Sequence, residues 1–176
     1  ILSPINDPPA EAVGLDGIEK IIKDEGLIRA YKDGQDKEAR WNMMMASTEG
    51  AMAFSKGLGA VHSMSHAAGA IQKLNLHHGT LNAVILPTIL RFNKNHVGNK
   101  YSRIAYAMGK NDSFNLPDEI EKLNEQIGMP NGLAEMGITE DMIPELVAHS
   151  ITDPSNITTP RLPSQEEWEK LFVEAM

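Results

Sequence analysis

Apolar residues recur along the chain at spacings of three and four, as on one face of an amphipathic helix. No segment shows the apolar and polar alternation of a half-buried strand, and glycine- or proline-containing breaks divide the pattern into separate segments. We predict helices over about 10–30, 37–55, 60–73, 80–93, 100–108, 116–127, 139–150 and 164–176. The pattern therefore predicts an all-α protein, a multi-helix bundle or array of seven to eight helices.

Residues that commonly cap helix N-termini precede several of these segments. The predicted caps are Asp36, Asn99, Asn115, Thr139 and Ser164. Ser164 is followed three positions later by Glu167, which is the spacing of a capping box. Pro87 lies inside a predicted helix, where it removes one backbone hydrogen bond and is expected to kink the helix.

The same pattern predicts an apolar helix face and an irregular connection between helices. The second predicted helix has an apolar face made by the row Trp41, Met44, Met45, Thr48 and Met52. Residues 152–163 are rich in Pro, Ser and Thr, and we predict an irregular connection there. Lys56 stands at a helix end and is expected to be solvated.

Composition agrees with one folded helical domain over residues 1–176. Hydrophobic residues make up 41% of the chain and charged residues 23%, close to the averages of globular proteins. Aromatic residues are only 5% of the chain, whereas Met occurs 10 times. Because strands recruit aromatic and β-branched residues, this composition favours packed helices.

Charge and cysteine content exclude several function classes. The chain has 24 acidic and 16 basic residues, a net charge of -8, and no basic block, which argues against a nucleic-acid or membrane partner. It has no Cys, so any metal must be held by His, Asp, Glu or water, and we expect a reducing, cytoplasmic location. The first residue is Ile1, from which we expect a processed product or a fragment.

The candidate chemistry lies in four histidines between positions 62 and 78. His62 and His66 are four residues apart, which places two imidazoles on one helix face. An uninterrupted helix would carry His78 about 24 Å further along, so a shared metal site requires the chain to reverse direction. The alternative is that His62 and His66 are ordinary helix residues, and that His77 and His78 simply form a turn.

The run GLGAVHSMSHAAGAIQKLNLHHGTLNAVILPTILRFN, residues 57–93, resembles the signature of the iron-containing (group III) alcohol dehydrogenases, which have a dehydroquinate synthase-like fold. DGQDKEARWNMMMASTEGAMAFSKG before it and DPSNITTPRLPSQEEWEKLFVEAM at the end are also similar to that family. The resemblance implies that His62 and His78 are metal ligands. It also implies that His66 lies between metal and nicotinamide as a proton-relay or substrate-positioning residue.

The choice of His78 over His77 follows the resemblance, because His78 directly precedes Gly79. The family spacing between the middle histidine and this His-Gly pair is shorter by two, which leaves His77 as an alternative. The family's other two ligands, an Asp and a His, match nothing here and are expected upstream of Ile1. The N-terminal nucleotide-binding domain is also absent, so the resemblance implies a C-terminal metal-binding domain without cofactor-binding residues of its own.

For the complete protein, the resemblance implies reversible hydride transfer between a primary or secondary alcohol and NAD or NADP. The expected metal is Fe(II), with Zn(II) as the alternative, and the expected partners are an alcohol or aldehyde, the missing domain and further copies of the same chain. We expect the fragment alone to be inactive. The rival hypothesis is a non-catalytic helical interaction or structural module derived from such an enzyme.

Overall fold

A computed structural model describes residues 1–111 and 114–176, and in these ranges it contains helices and no β-strand. The α-helices are α1 Pro8–Ile22, α2 Gly26–Lys32, α3 Lys37–Met52, α4 Ala60–Gly69, α5 His78–Asn93, α6 Lys100–Ala107, α7 Leu116–Gln126, α8 Ile143–Thr152 and α9 Gln165–Glu174. This confirms the all-α prediction. Across the described part of the chain, no helix is long and apolar enough to cross a membrane.

The helix predicted over 10–30 is interrupted and forms α1 and α2. Asp24 and Glu25 have φ values of 50° and 55°, in the left-handed region that non-glycine residues rarely adopt. The segment predicted over 10–30 thus corresponds to two observed α-helices, and each of the other predicted segments corresponds to one.

Two of the predicted caps make the expected hydrogen bonds. The Asp36 side chain accepts from the backbone N–H of Ala39 at the start of α3. Ser164 and Glu167 form a reciprocal capping box at the start of α9. Three predicted caps stand at helix boundaries but make no side-chain capping hydrogen bond: Asn99, Asn115 and Thr139. The predicted cap positions of these three are confirmed, without the side-chain hydrogen bond.

The chain divides into two compact units. Unit 1 comprises residues 1–57 and 97–114, including the two that are not described, and unit 2 comprises residues 58–96 and 115–176. Unit 1 contains α1, α2, α3 and α6, and unit 2 contains α4, α5, α7, α8 and α9. A single domain over 1–176 stays a prediction.

In unit 1, α1 packs against α2, α3 and α6. The buried positions of α3 are small or charged: Ala39, Ala46 and Glu49. The apolar row predicted on this helix is instead largely exposed, with exposed fractions of 57% for Trp41, 67% for Met44 and 60% for Met52. The alanines let α1 approach α3 closely, which turns the larger residues outward.

Lys56 is buried in unit 1, with only 1% of its surface exposed, so the expectation of a solvated lysine was wrong. Its Nζ donates to the carbonyl of Ile5 at 2.5 Å and to Glu11 Oε2 at 3.0 Å. The Ser3 hydroxyl donates to the Lys56 carbonyl. The N-terminal segment thus covers Lys56 and supplies its partners, which compensates for the loss of water.

In unit 2, α4 packs against α5 and α8, α7 packs against α5, and α9 packs against α5 and α8. The largest core side chains are fully buried: Met64, Leu81, Ile85, Leu146, Trp168 and Phe172. They come from α4, α5, α8 and α9, and α4, which carries two of the candidate histidines, is held against both α5 and α8.

Pro87 lies within α5, which is assigned as one helix from His78 to Asn93. Proline has no N–H, so the carbonyl of Ala83 loses its usual helical donor. The Asn124 side chain, on α7, donates to this carbonyl at 2.7 Å. A residue on the neighbouring helix therefore replaces the hydrogen bond that Pro87 removes.

Candidate functional site

Three imidazole rings lie together where α4 meets the start of α5. His62 and His66 are on α4, and the chain reverses after Gly69 to bring in His78, the first residue of α5. The ring centroids are 5.7 Å apart for His62 and His66, 5.3 Å for His62 and His78, and 5.4 Å for His66 and His78. The reversal that the spacing required is therefore present.

The N-terminus of α4 is fixed by the segment that follows α8. Gly59, which precedes α4, has a φ of 105°, a conformation that favours glycine. The first N–H of the helix, from Ala60, donates to Thr159 Oγ1 at 3.2 Å. Because the Thr159 side chain acts as the cap, the position of His62 depends on residues far away in sequence.

The Nε2 atoms of His62 and His78 point toward one another across Asn82. The Asn82 Nδ2 lies 3.1 Å from Nε2 of His78 and 3.5 Å from Nε2 of His62. An amide nitrogen only donates, so this geometry requires a lone pair on each Nε2. Asn82 Oδ1 is buried and has no hydrogen-bond partner among the described residues.

Ser65 determines which nitrogen of His78 carries the proton. The Ser65 hydroxyl donates to the His62 carbonyl at 3.2 Å and lies 3.4 Å from Nδ1 of His78. Since its own proton is used, Ser65 can only accept from His78, which places the proton on Nδ1. This arrangement leaves Nε2 free to bind a metal, as when an outer hydrogen bond orients a ligating histidine.

The environment of both of these imidazoles disfavours the charged form. Burial lowers the pKa of His62 below its usual value, and positive charge on His78 or His66 lowers it further. The pKa of His78 is lowered by burial and then by charge on His66 and His77. A metal ligand must be unprotonated, so these shifts suit metal binding.

His77 has a different task from His78. Its Nδ1 accepts from the backbone N–H of Thr80 at 3.3 Å and lies 3.2 Å from Thr80 Oγ1, so His77 is the N-cap of α5. His77 is exposed, and so are His96 and His149. This capping role favours His78 as the member of the His-His pair that faces the other two rings.

His66 contacts a carboxylate that the sequence did not single out. Its Nδ1 lies 3.0 Å from Asp153 Oδ2, while Asp153 Oδ1 accepts from the backbone N–H of Ser155 at 2.8 Å. Burial by itself raises the pKa of Asp153, but the hydrogen bonds from Ser155 and His66 outweigh it and bring the pKa below its usual value.

Asp153 and Asn82 are site residues that sequence reasoning missed. Asp153 lies within residues 152–163, which were predicted to be irregular, yet Pro154–Thr158 forms a 3-10 helix. An Asp directly before a Pro at a helical start is the available signal, because Asp is a preferred N-cap. Only the reversal of the chain brings Asn82 against the two rings.

The donor set fits part of a metal site. Within residues 1–111 and 114–176, no group of three or more His, Asp or Glu side chains is arranged to hold a metal ion. Neutral imidazoles suit Fe, Zn, Ni and Co alike. His62 and His78 would therefore supply two nitrogen ligands, and a stable site needs further ligands from elsewhere.

Comparison with known proteins identifies the family of the chain. A model of the Fe-containing alcohol dehydrogenase family, C-terminal, matches residues 2–176. The 4-hydroxybutyrate dehydrogenase of Cupriavidus necator is 40% identical over 183 residues, which cover 99% of this chain and 47% of that protein. The 1,3-propanediol dehydrogenase of Citrobacter freundii is 31% identical, with 96% of this chain and 45% of that protein covered.

Solved structures agree. The crystal structure of a 1,3-propanediol oxidoreductase superposes with a TM-score of 0.90 at 29% identity, covering 99% of this chain and 47% of that one. The alcohol dehydrogenase from Oenococcus oeni also gives a TM-score of 0.90, at 25% identity and the same coverage. The chain thus spans about half the length of the relatives it matches. It belongs to the Fe-containing alcohol dehydrogenase family, and the part of the family that it matches is the C-terminal domain.

Proposed function

We propose that this chain is the metal-binding half of an enzyme that transfers hydride reversibly between an alcohol and NAD or NADP. The observation that carries the proposal is the convergence of two neutral imidazoles, His62 and His78, beside a third, His66. Relatives named for 4-hydroxybutyrate and 1,3-propanediol support an alcohol or aldehyde substrate. The nucleotide and the remaining ligands would come from the half of the protein outside this chain.

In this proposal, His62 and His78 hold the metal through Nε2, and Ser65 keeps the proton of His78 on Nδ1. A divalent ion held there, Fe(II) or Zn(II) in its place, would act as a Lewis acid that polarises the substrate oxygen and would make its proton easier to remove. His66 has an exposed ring, with 41% of its side chain accessible, and takes up that proton. It then passes the proton outward to solvent.

The rival function is a helical module without catalysis. The small number of donors supports it, because two histidines with water hold a metal only weakly. The full-length protein separates the two hypotheses, since the dehydrogenase requires both metal and turnover, and the module requires neither.

Two substitutions in the full-length protein test the assigned roles. We expect His62→Ala to lose bound metal and activity together. We expect His66→Ala to keep wild-type metal content while kcat falls by about 100-fold or more, as when a proton-transfer group is removed. The measurements are metal analysis by mass spectrometry and steady-state kinetics.

His96→Ala is the matched control, because His96 is exposed and lies outside the three-ring cluster. It should retain metal and activity. Wild-type metal content in His62→Ala would refute the ligand assignment, and wild-type kcat in His66→Ala would refute the proton-transfer role.

A further inference from the structure

The contact between His66 and Asp153 uses both oxygens of the carboxylate. One oxygen, Oδ1, caps the 3-10 helix Pro154–Thr158 through the N–H of Ser155, and the other, Oδ2, meets Nδ1 of His66. Ser, Thr or Asn would cap the helix as well as Asp does. Only a carboxylate offers a second oxygen that accepts a hydrogen bond from the imidazole.

The carboxylate is also held in place. The Asp153 side chain is only 13% exposed. The Ser63 hydroxyl, on α4, lies 3.4 Å from Asp153 Oδ1 and donates to Asn156 Oδ1 at 2.7 Å. The Asn156 Nδ2 donates in turn to the Ser150 carbonyl at 2.7 Å. The acceptor that faces His66 is therefore fixed against both α4 and α8.

A carboxylate only accepts hydrogen bonds, so the neutral His66 ring must carry its proton on Nδ1. Its Nε2 then has a free lone pair. The His66 ring is stacked on His78 at an interplanar angle of 17°, so the ring that carries this lone pair lies beside a proposed metal ligand.

We propose that Asp153 is a positioning residue, which holds His66 in one ring orientation and in the Nδ1–H tautomer so that Nε2 receives the substrate proton. This inference rests on the proposed function, because it concerns how His66 performs proton transfer. The hydroxyl proton moves from the substrate oxygen to Nε2, and the imidazolium keeps its original proton on Nδ1. Asp153 stays ionised throughout.

The test uses Asp153→Asn in the full-length enzyme. The Ser155 N–H still requires an acceptor, so the new amide keeps its oxygen there and presents its NH2 to His66. Nδ1 must then accept, which moves the His66 proton to Nε2 and blocks proton uptake. We expect kcat to fall by about 100-fold or more, as in catalytic dyads that lose the correct tautomer, while KM and metal content stay near wild type.

A purely structural role of Asp153 is separated by repeating the substitution in a His66→Ala background. If Asp153 acts through His66, Asp153→Asn should change the residual kcat there by less than about twofold. An equal loss of kcat in both backgrounds would overturn the inference. That result would leave the proposed function intact, provided that His66→Ala alone is impaired.

A second measurement reads the His66 tautomer directly. The 15N chemical shifts of His66, recorded on histidine-labelled, zinc-loaded full-length enzyme and assigned with His66→Ala, report which ring nitrogen carries the proton. The inference predicts Nδ1–H in the wild type and Nε2–H in Asp153→Asn. A proton on Nε2 in the wild type would overturn it.

Discussion

Single residues in this chain acquire their roles from hydrogen bonds that only the folded structure supplies. His77 and His78 are adjacent and chemically identical, yet one caps α5 and the other faces His62. The sequence left both open because it could not show how the chain reverses after Gly69. In the structure, Nδ1 of His77 accepts from the N–H of Thr80, whereas Nδ1 of His78 lies against the Ser65 hydroxyl.

Lys56 shows the same dependence on folding. Its position at a helix end suggested a solvated side chain, but its ammonium group is buried against Glu11 and the Ile5 carbonyl. Removal of one member of such a pair leaves a buried charge uncompensated. Arg103 also contacts Glu11 and would still compensate part of its charge if Lys56 were removed. It does not replace the hydrogen bond from Lys56 to the Ile5 carbonyl.

We therefore predict that Lys56→Met lowers the free energy of unfolding by about 3 kcal/mol. Lys37→Met, at an exposed position at the start of α3, should change it by less than about 0.5 kcal/mol. Urea unfolding of the two variants beside the wild type measures the difference. Equal stability of both variants would mean that the buried ion pair does not stabilise unit 1.

At the level of helices, α5 contains a residue, Pro87, that interrupts its backbone hydrogen bonding. Pro87 leaves the Ala83 carbonyl without its helical donor, and the Asn124 side chain supplies one from α7. The proline was visible in the sequence, but its partner lies 41 residues away from the carbonyl it serves. The local sequence pattern therefore predicted the missing hydrogen bond in α5 but not the side chain that replaces it.

Asn124→Ala should lower the free energy of unfolding by about 1–2 kcal/mol, because it leaves a partly buried carbonyl without a donor. In a Pro87→Ala background the backbone N–H of residue 87 can serve Ala83, so the same substitution should cost about 1 kcal/mol less. Gln126→Ala, at an exposed amide on the same helix, is the control and should have little effect. Identical losses in both backgrounds would contradict this account of α5.

Helix positions were predictable because apolar periodicity is local, and the capping box at Ser164 was predictable for the same reason. The break at Asp24 and Glu25 was not, since the two left-handed residues are not glycines and Gly26 only follows them as the first residue of α2. The exposed row on α3 was misassigned because small alanines, not the larger Met and Trp residues, form its buried face.

For the molecule as a whole, the three-histidine cluster explains why the sequence carried so specific a family resemblance. Residues 62–82 contain the three imidazoles, Ser65 and Asn82, which the reversal folds into one site. Asp153 lies 87 residues from His66 in the sequence and could not be paired with it from spacing. The two proposed ligands would be part of a coordination sphere, and the chain spans about half the length of its relatives.

The most direct test of the proposed metal site is the metal-to-protein ratio of the full-length protein carrying His78→Ala, measured beside the adjacent variant His77→Ala. Each variant lacks one imidazole, at neighbouring positions. Any change in the metal-to-protein ratio that comes from histidine number or from purification is therefore the same in both. We predict that His77→Ala keeps the wild-type ratio, because it loses only the cap of α5, and that His78→Ala loses the metal. Metal kept by His78→Ala, whether or not His77→Ala loses it, would contradict the assignment of His62 and His78 as the ligands.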